Sequence, residues 1–243
     1  MQTRSERERE HFNQLADELG SVWWGSVTKA GQLRIDQRGE LATRHGHLEA
    51  GKTVLEPGAG NGEFTIRLAK SGASVTGVEI APKQVAIANQ KLSHCPNVKI
   101  IEGDVTQLPF ADQSFDAVVG NAVLHHFELN QTLPELYRIL KPGGHFFFTE
   151  PNMMNPQIAV EKNIKFIGKR LQNSPDETAF FRWRIARRLR GIGFQAVRVT
   201  PFDFLHPGIP NGWIPAVHQL SNLLSQLPVI KEIGGSLQIY GRR

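Results

Sequence analysis

The stretch Val54-Leu55-Glu56-Pro57-Gly58-Ala59-Gly60-Asn61-Gly62 decides the fold. An apolar run from Thr53 ends in an acid, turns through closely spaced glycines, and gives way to helix-spaced residues from Phe64 to Lys70. That order reads as strand, sharp turn and helix. Glycine lets the backbone turn tightly and pass close to a ligand with no Cβ in the way. The spacing is Gly-x-Gly-x-Gly, not the Gly-x-Gly-x-x-Gly of dinucleotide binders. An acid just ahead of the loop repels a pyrophosphate and suits a ligand carrying an ammonium or sulfonium group.

Working outward, the same alternation continues. Ser74 to Glu79, Val98 to Glu102, Phe115 to Gly120 and His145 to Glu150 read as strands. Pro82 to Ser93 reads as a helix opened by proline, whose missing N–H is harmless in a first turn. A further helix runs from about Leu133 to Leu140, before Pro142-Gly143-Gly144. Strands alternating with helices imply a doubly wound α/β fold, a parallel sheet covered on both faces.

The flanks are looser. Residues 6 to 20 carry Phe12, Leu15, Ala16 and Leu19 at helical spacing, followed by the aromatic segment Val22-Trp23-Trp24-Gly25. A second helix spans about Ala30 to His47, with Arg34, Arg38 and Arg44 on its polar positions. Helices are expected over Pro156 to Leu171 and Thr178 to Leu189. Gln195 to Thr200 and Leu237 to Tyr240 form a final strand pair. Between them lie the insertion His206-Pro207-Gly208-Ile209-Pro210-Asn211-Gly212-Trp213 and a helix to about Leu227.

At 243 residues, 40% of them hydrophobic, the chain suits one α/β domain and excludes a disordered protein. Cys95 is the only cysteine, so a disulfide-built scaffold is excluded and a reducing, cytoplasmic setting is expected. The Arg- and Glu-rich start has no signal-peptide pattern, and no apolar run approaches the ~20 residues that span a bilayer. The net charge of +5 is regional. Val160 to Thr200 holds ten Lys or Arg against three acids.

Glu79 ends the second strand, where a carboxylate can accept both hydroxyl protons of a ribose. Asp104, after the third, can accept from the exocyclic amine of an adenine. Glu56, Glu79 and Asp104 each follow a strand and so share one edge of the sheet.

The glycine run, Glu79, Gly103-Asp104, Phe115-Asp116-Ala117-Val118-Val119, His125-His126-Phe127 and Leu140-Lys141-Pro142-Gly143-Gly144 together resemble the class I S-adenosylmethionine-dependent methyltransferases. Within them the chain is similar to the ubiquinone/menaquinone-type and natural-product small-molecule group. The resemblance covers residues 50 to 152 well and the ends loosely. It implies a Rossmann-like seven-stranded sheet with the last strand antiparallel, and S-adenosyl-L-methionine as cofactor. It also implies that Glu56, Gly58, Ala59, Gly60 and Gly62 meet the methionine moiety. Glu79 with Ile80 would meet the ribose, Asp104 with Val105 the adenine, and Asn121 and His126 would complete the cofactor site. No metal is implied.

Methyl transfer from an activated donor depends on alignment and on exclusion of water. A hydroxyl acceptor also benefits from a general base. The candidates follow the fourth strand: His125, expected to point into the pocket, and His126, expected to be structural or to face the cofactor. Glu150, ending the fifth strand, either orients an acceptor, acts as a second base, or bonds backbone N–H groups of its own turn. Arg34 and Arg38 either reach the methionine carboxylate or form surface salt bridges.

Residues 1–50 form a helical lid, 51–152 the cofactor core, and 153–243 an acceptor lid with the last strands; acceptor coverage is expected from 12–40 and 153–227. Phe202, Phe204 and Trp213 suit a hydrophobic or ring-containing small molecule. On the helix from Pro156, Val160, Ile164, Ile167 and Leu171 share one face and Lys162, Lys165 and Lys169 another. Such a helix more often packs its apolar face inward and solvates its lysines. The alternative is peripheral membrane contact through residues 156–190. Arg182, Arg184, Arg187, Arg188 and Arg190 suit phosphate, but no RNA-binding module flanks them, so a nucleic-acid substrate is the minority reading. A cofactor-binding protein without catalysis is the reading of another class.

Overall fold

The computed structural model describes residues 2–20, 27–164, 166, 174 and 176–243. The aromatic segment at Val22-Trp23-Trp24-Gly25, and Lys165, Ile167, Lys169, Arg170 and Leu171, lie outside the described residues.

Seven strands form one sheet: β1 (Thr53–Pro57), β2 (Ser74–Glu79), β3 (Val98–Glu102), β4 (Phe115–Asn121), β5 (Leu140–Pro151), β6 (Gln195–Phe202) and β7 (Ser236–Arg242). Their order is β3-β2-β1-β4-β5-β7-β6, and β7 alone runs antiparallel to its neighbours β5 and β6. The chain winds outward through β2 and β3, then restarts at β4 beside β1. That reversal opens a crevice at the carboxyl ends of β1 and β4.

Side chains alternate across the sheet as a strand's period of two demands. Leu55, Val118, Phe146 and Phe148 pack on one face, with Leu133, Leu136 and Leu189. Val54, Ala117, Val119 and Phe147 pack on the other, with Ile35, Ala42 and Leu68. Helices α5 (Leu129–Ile139) and α7 (Arg182–Ile192) cover the first face; α2 (Lys29–Gly46) and α3 (Thr65–Ala69) cover the second. Helix α4 (Pro82–Lys91) closes a smaller cluster through Ala88. Helix α1 (Arg4–Leu19) starts in a reciprocal cap between Thr3 and Glu6 and packs on α4.

Some boundaries depart from expectation for local reasons. Helix α5 begins at Leu129, so Pro134 sits inside it; Glu128 caps the start by accepting from Asn130 N. Strand β5 reaches back to Leu140, with Pro142-Gly143-Gly144 absorbed in a register shift against β4, where a missing N–H is tolerated. Helix α6 (Pro156–Asn163) ends where Ile164 turns extended, at φ −106° and ψ 97°. The helix expected from Thr178 starts at Arg182. Helix α8 (Ile214–Leu224) follows the Pro/Gly insertion. Among the described residues no helix is long and apolar enough to cross a membrane.

Candidate active site

A cavity of about 480 Å³ opens at the carboxyl edge of the sheet, within the size range of small-ligand sites. Glu56, Gly58, Ala59, Gly60, Glu79, Ile80, Asp104, Val105, Asn121, His125, His126 and Glu150 all line it. Gly62 does not. Its φ of +77° still requires glycine, but an added Cβ there would lie 2.8 Å from Leu92 Cδ1. Gly62 therefore packs closely against Ala88 and Leu92 at α4. Gly58, at φ +68°, has no room either, since its Cβ would meet Val123 Cγ2 at 2.1 Å. Gly60, at φ +52°, faces open space, as a backbone that must approach a ligand should.

The loop is tied to its acids. Glu79 accepts from Gly60 N and from Ala81 N, both at 2.9 Å, which pins the glycine turn to the end of β2. Glu56 is 2% exposed, and its buried Oε2 has no partner. Burial, with the nearby Glu79 charge adding to it, pushes the Glu56 carboxyl up to about 8. An ammonium group placed there would satisfy both the orphaned oxygen and the ionised form. The residues therefore fit the amino-acid end of S-adenosylmethionine. Asp104 Oδ1 is held by Thr106 N and Oγ1, both at 2.8 Å, which fixes the carboxylate at the cavity wall.

The histidine pair stands on the opposite side of the switch point. Glu150 Oε1 accepts from Val123 N at 3.0 Å and Leu124 N at 2.8 Å, and its Oε2 meets His125 Nδ1 at 2.6 Å. Glu150 thus bonds backbone N–H groups, but those of the loop after β4 rather than of its own turn, and it orients the imidazole as well. His125 is 4% exposed, and its Nε2 lies 3.5 Å from Glu177 Oε1. Burial opposes its protonation, but the Glu150 and Glu177 carboxylates prevail and raise it to about 9. His126 points away, its Nδ1 3.1 Å from Glu8 Oε2, and burial together with the His125 charge holds it below its ordinary value.

Three participants carried no signal in the sequence: Glu8, Glu177 and Asp203. Glu177 also binds Lys162, so that lysine points inward while Val160 and Ile164 are about half exposed. This reverses the expected amphipathic arrangement of α6. Ser174 Oγ donates to Glu8 Oε1 at 2.7 Å, and Arg4 Nη2 donates to His125 O and Asp176 O at 2.6 and 2.8 Å. The first turns of α1 are thereby fastened over the histidines, within the expected 1–50 lid but earlier in the chain than the acceptor coverage expected from residue 12. Only one feature pointed to Asp203, and it is conformational: a non-glycine residue at φ +72°, like Ala122 at +52°, both on the cavity wall.

Arg34 and Arg38 are not surface salt bridges. Arg34 Nε and Arg38 Nη2 converge on Asp203 Oδ2 at 2.8 and 3.0 Å, and Arg38 also reaches Ser236 Oγ and Asn121 Oδ1. Arg38 is 8% exposed; burial and the neighbouring Arg34 lower it to about 10 against the pull of Asp203. Its Nε is buried without a partner. His125, His126 and Glu177 bring three donor atoms within 4.8 Å, but Lys162 already neutralises Glu177, and no metal is assigned to them.

Residues 55–148 match the family described as a methyltransferase domain. A demethylmenaquinone methyltransferase from Chlorobaculum parvum is 39% identical over 116 residues, 47% of this chain and 46% of that protein. One from Staphylococcus aureus is 29% identical over 177 residues, 64% and 73% of the two chains. The chain spans about half the length of the first of these relatives. Among solved structures, the [4+2]-cyclase SpnF superposes with a TM-score of 0.72 at 20% identity, covering 100% of this chain and 97% of that one. A Haemonchus contortus phosphoethanolamine N-methyltransferase 2 superposes at 0.70 with 15% identity, covering 100% and 60%. The sheet order and the glycine loop are those of the class I S-adenosylmethionine-dependent methyltransferase fold, and residues 55–148 are similar to the methyltransferase-domain family. Within that class its sequence is similar to the menaquinone-type enzymes, while the structural likenesses establish the fold alone.

Proposed function

We propose that this protein transfers the methyl group of S-adenosylmethionine to a hydroxyl of a hydrophobic or ring-containing small molecule, with His125 as the general base. The observation that carries the reading is the buried Glu150–His125 pair. Glu150 fixes Nδ1 as a donor and so leaves Nε2 as the atom able to take a proton. His126 is turned away onto Glu8, and Glu150 acts as the positioning residue rather than a second base.

S-adenosylmethionine, when bound, supplies an activated methyl group. Glu56 and Gly60 would hold its methionine end, Glu79 with Ile80 its ribose, and Asp104 with Val105 its adenine. Arg38, with an unpartnered buried Nε, would take the carboxylate. His125 cannot act while Glu177 holds it as an imidazolium. An acceptor hydroxyl entering at Nε2 displaces Glu177; the loss of that anion lowers the imidazole toward neutrality, and the Nε2 proton is released to bulk water before the site closes. Nε2 then accepts the hydroxyl proton as the oxygen is methylated. Helix α1 with Ser174, Asp176 and Glu177 acts as the lid that excludes water.

The test is turnover to S-adenosylhomocysteine with a panel of phenolic and enolic acceptors. His125→Ala should lose O-methylation by roughly 100- to 10,000-fold with unchanged affinity for S-adenosylmethionine. A variant that stays active transfers the role elsewhere and overturns the assignment.

A further inference from the structure

Helix α8 leaves much of its apolar surface uncovered. Amphipathic helices bury their apolar stripe; α8 buries only Ser221, whose Oγ accepts from Phe204 N at 2.9 Å. Ile214, Val217 and Leu224 are half-buried, but Leu220 and Leu223 face outward. Trp213, Leu220, Leu223 and Leu227 fall at helical intervals on and around it and are 67%, 50%, 56% and 39% exposed. Val229 and Ile233, just beyond, are 82% and 44% exposed. From Pro207 to Ile230 there is no Asp, Glu, Lys or Arg at all. Exposed large apolar side chains gathered on one uncharged segment mark an interaction site.

What borders it identifies the partner. The turn Ile230–Ile233 is fastened to the start of α7 by Arg182 Nε on Glu232 Oε2 at 2.8 Å. Helix α7 has no acid. Its inner face is Ile185, Ala186 and Leu189, and Arg182, Trp183, Arg184 and Arg187 are exposed. The carboxylate at the junction, Glu232, is paired with Arg182. An uncharged apolar face flanked by an arginine strip with an exposed tryptophan complements a surface that is apolar inside and negative at its boundary. Apolar burial and attraction to anionic headgroups then act together.

We propose that α8, the turn at Ile230–Ile233 and the arginine face of α7 form a docking surface for an anionic lipid bilayer. The uncharged segment leaves the cavity wall at Pro207 and the chain returns to it at Gly235. Docking therefore sets the cavity's acceptor side against the membrane. This inference is independent of the base assignment.

Flotation with vesicles of phosphatidylcholine alone, and of phosphatidylcholine with phosphatidylglycerol, tests it on the whole chain. Binding is expected to the anionic vesicles and to weaken with salt. Leu220→Ser with Leu223→Ser should lower it by on the order of tenfold. Arg184→Gln and Arg187→Gln should each lower it about fivefold. All four positions are exposed, so melting temperature and S-adenosylmethionine affinity should hold; a folded variant that floats like the wild type overturns the proposal. Absence of flotation together with a concentration-dependent dimer abolished by Leu223→Ser would assign the face to a second copy and also overturn it.

Discussion

The two sides of the cavity hold their carboxylates by different means. On the cofactor side, Glu79 and Asp104 are fixed by hydrogen bonds to the loops at their own and neighbouring strand ends, and Glu56 sits buried beside Thr65. On the acceptor side, Glu8, Glu150, Glu177 and Asp203 are fixed by partners drawn from across the chain: Ser174, His125, Lys162, Arg34 and Arg38. The first arrangement follows from where strands end. The second exists only once the lid elements have folded together, and its energetics are those of buried ion pairs, whose value depends on every partner being present.

The largest expected effect lies on the acceptor side. Asp203→Asn leaves Arg34 and Arg38 buried without their anion and should cost about 3–5 kcal/mol of stability, read by denaturant unfolding. A cost near that of a surface pair would place Asp203 outside the account. Next is Gly58→Ala, which forces a Cβ onto Val123 and strains a left-handed turn. It should cost about 1–3 kcal/mol and abolish cofactor binding, whereas Gly143→Ala, with open space around it, should bear only the conformational cost.

A change of slope with pH separates the sides more finely. Glu56 rises from 4.5 to about 8 on folding, so its contribution to stability falls as pH climbs through that window. His125 rises from 6.5 to about 9, so its contribution is complete below 6.5 and lost by about 9. Cofactor-free protein should therefore lose melting temperature steadily between about pH 5 and pH 9. Glu56→Gln should flatten the lower part of that decline and Glu150→Gln the upper; a rising wild-type curve would contradict both assignments. Smaller still, Glu177→Gln removes an anion from His125 and should move the ascending limb of the kcat/KM profile to lower pH. An unmoved limb would sever Glu177 from the imidazole.

The same division explains what the sequence reveals. Strands β2 and β3 match their expected bounds to the residue, because periodicity and the bordering acids are local signals. Glu56, Glu79 and Asp104 are legible because a parallel sheet delivers its strand ends to one edge. At Gly62 a positive φ and close packing on Leu92 demand glycine as strictly as a ligand does, so the sequence motif alone does not separate the two causes. Glu177 and Asp203 were invisible because their partners sit far off in sequence, Lys162 and His125 for one, Arg34 and Arg38 for the other. The inward turn of Lys162 escaped a helical-wheel reading because wheel faces do not encode which side meets the cavity.

The claim on which the rest depends is that the edge formed by Glu56, Glu79 and Asp104 binds S-adenosylmethionine. Titration calorimetry of the wild type and of Asp104→Ala, each with S-adenosylmethionine and with NAD, tests it directly. The account predicts binding of S-adenosylmethionine and not of NAD, weakened by about five- to tenfold in Asp104→Ala through loss of one hydrogen bond. Equal binding of the two ligands, or an Asp104→Ala variant that binds like the wild type, would contradict it.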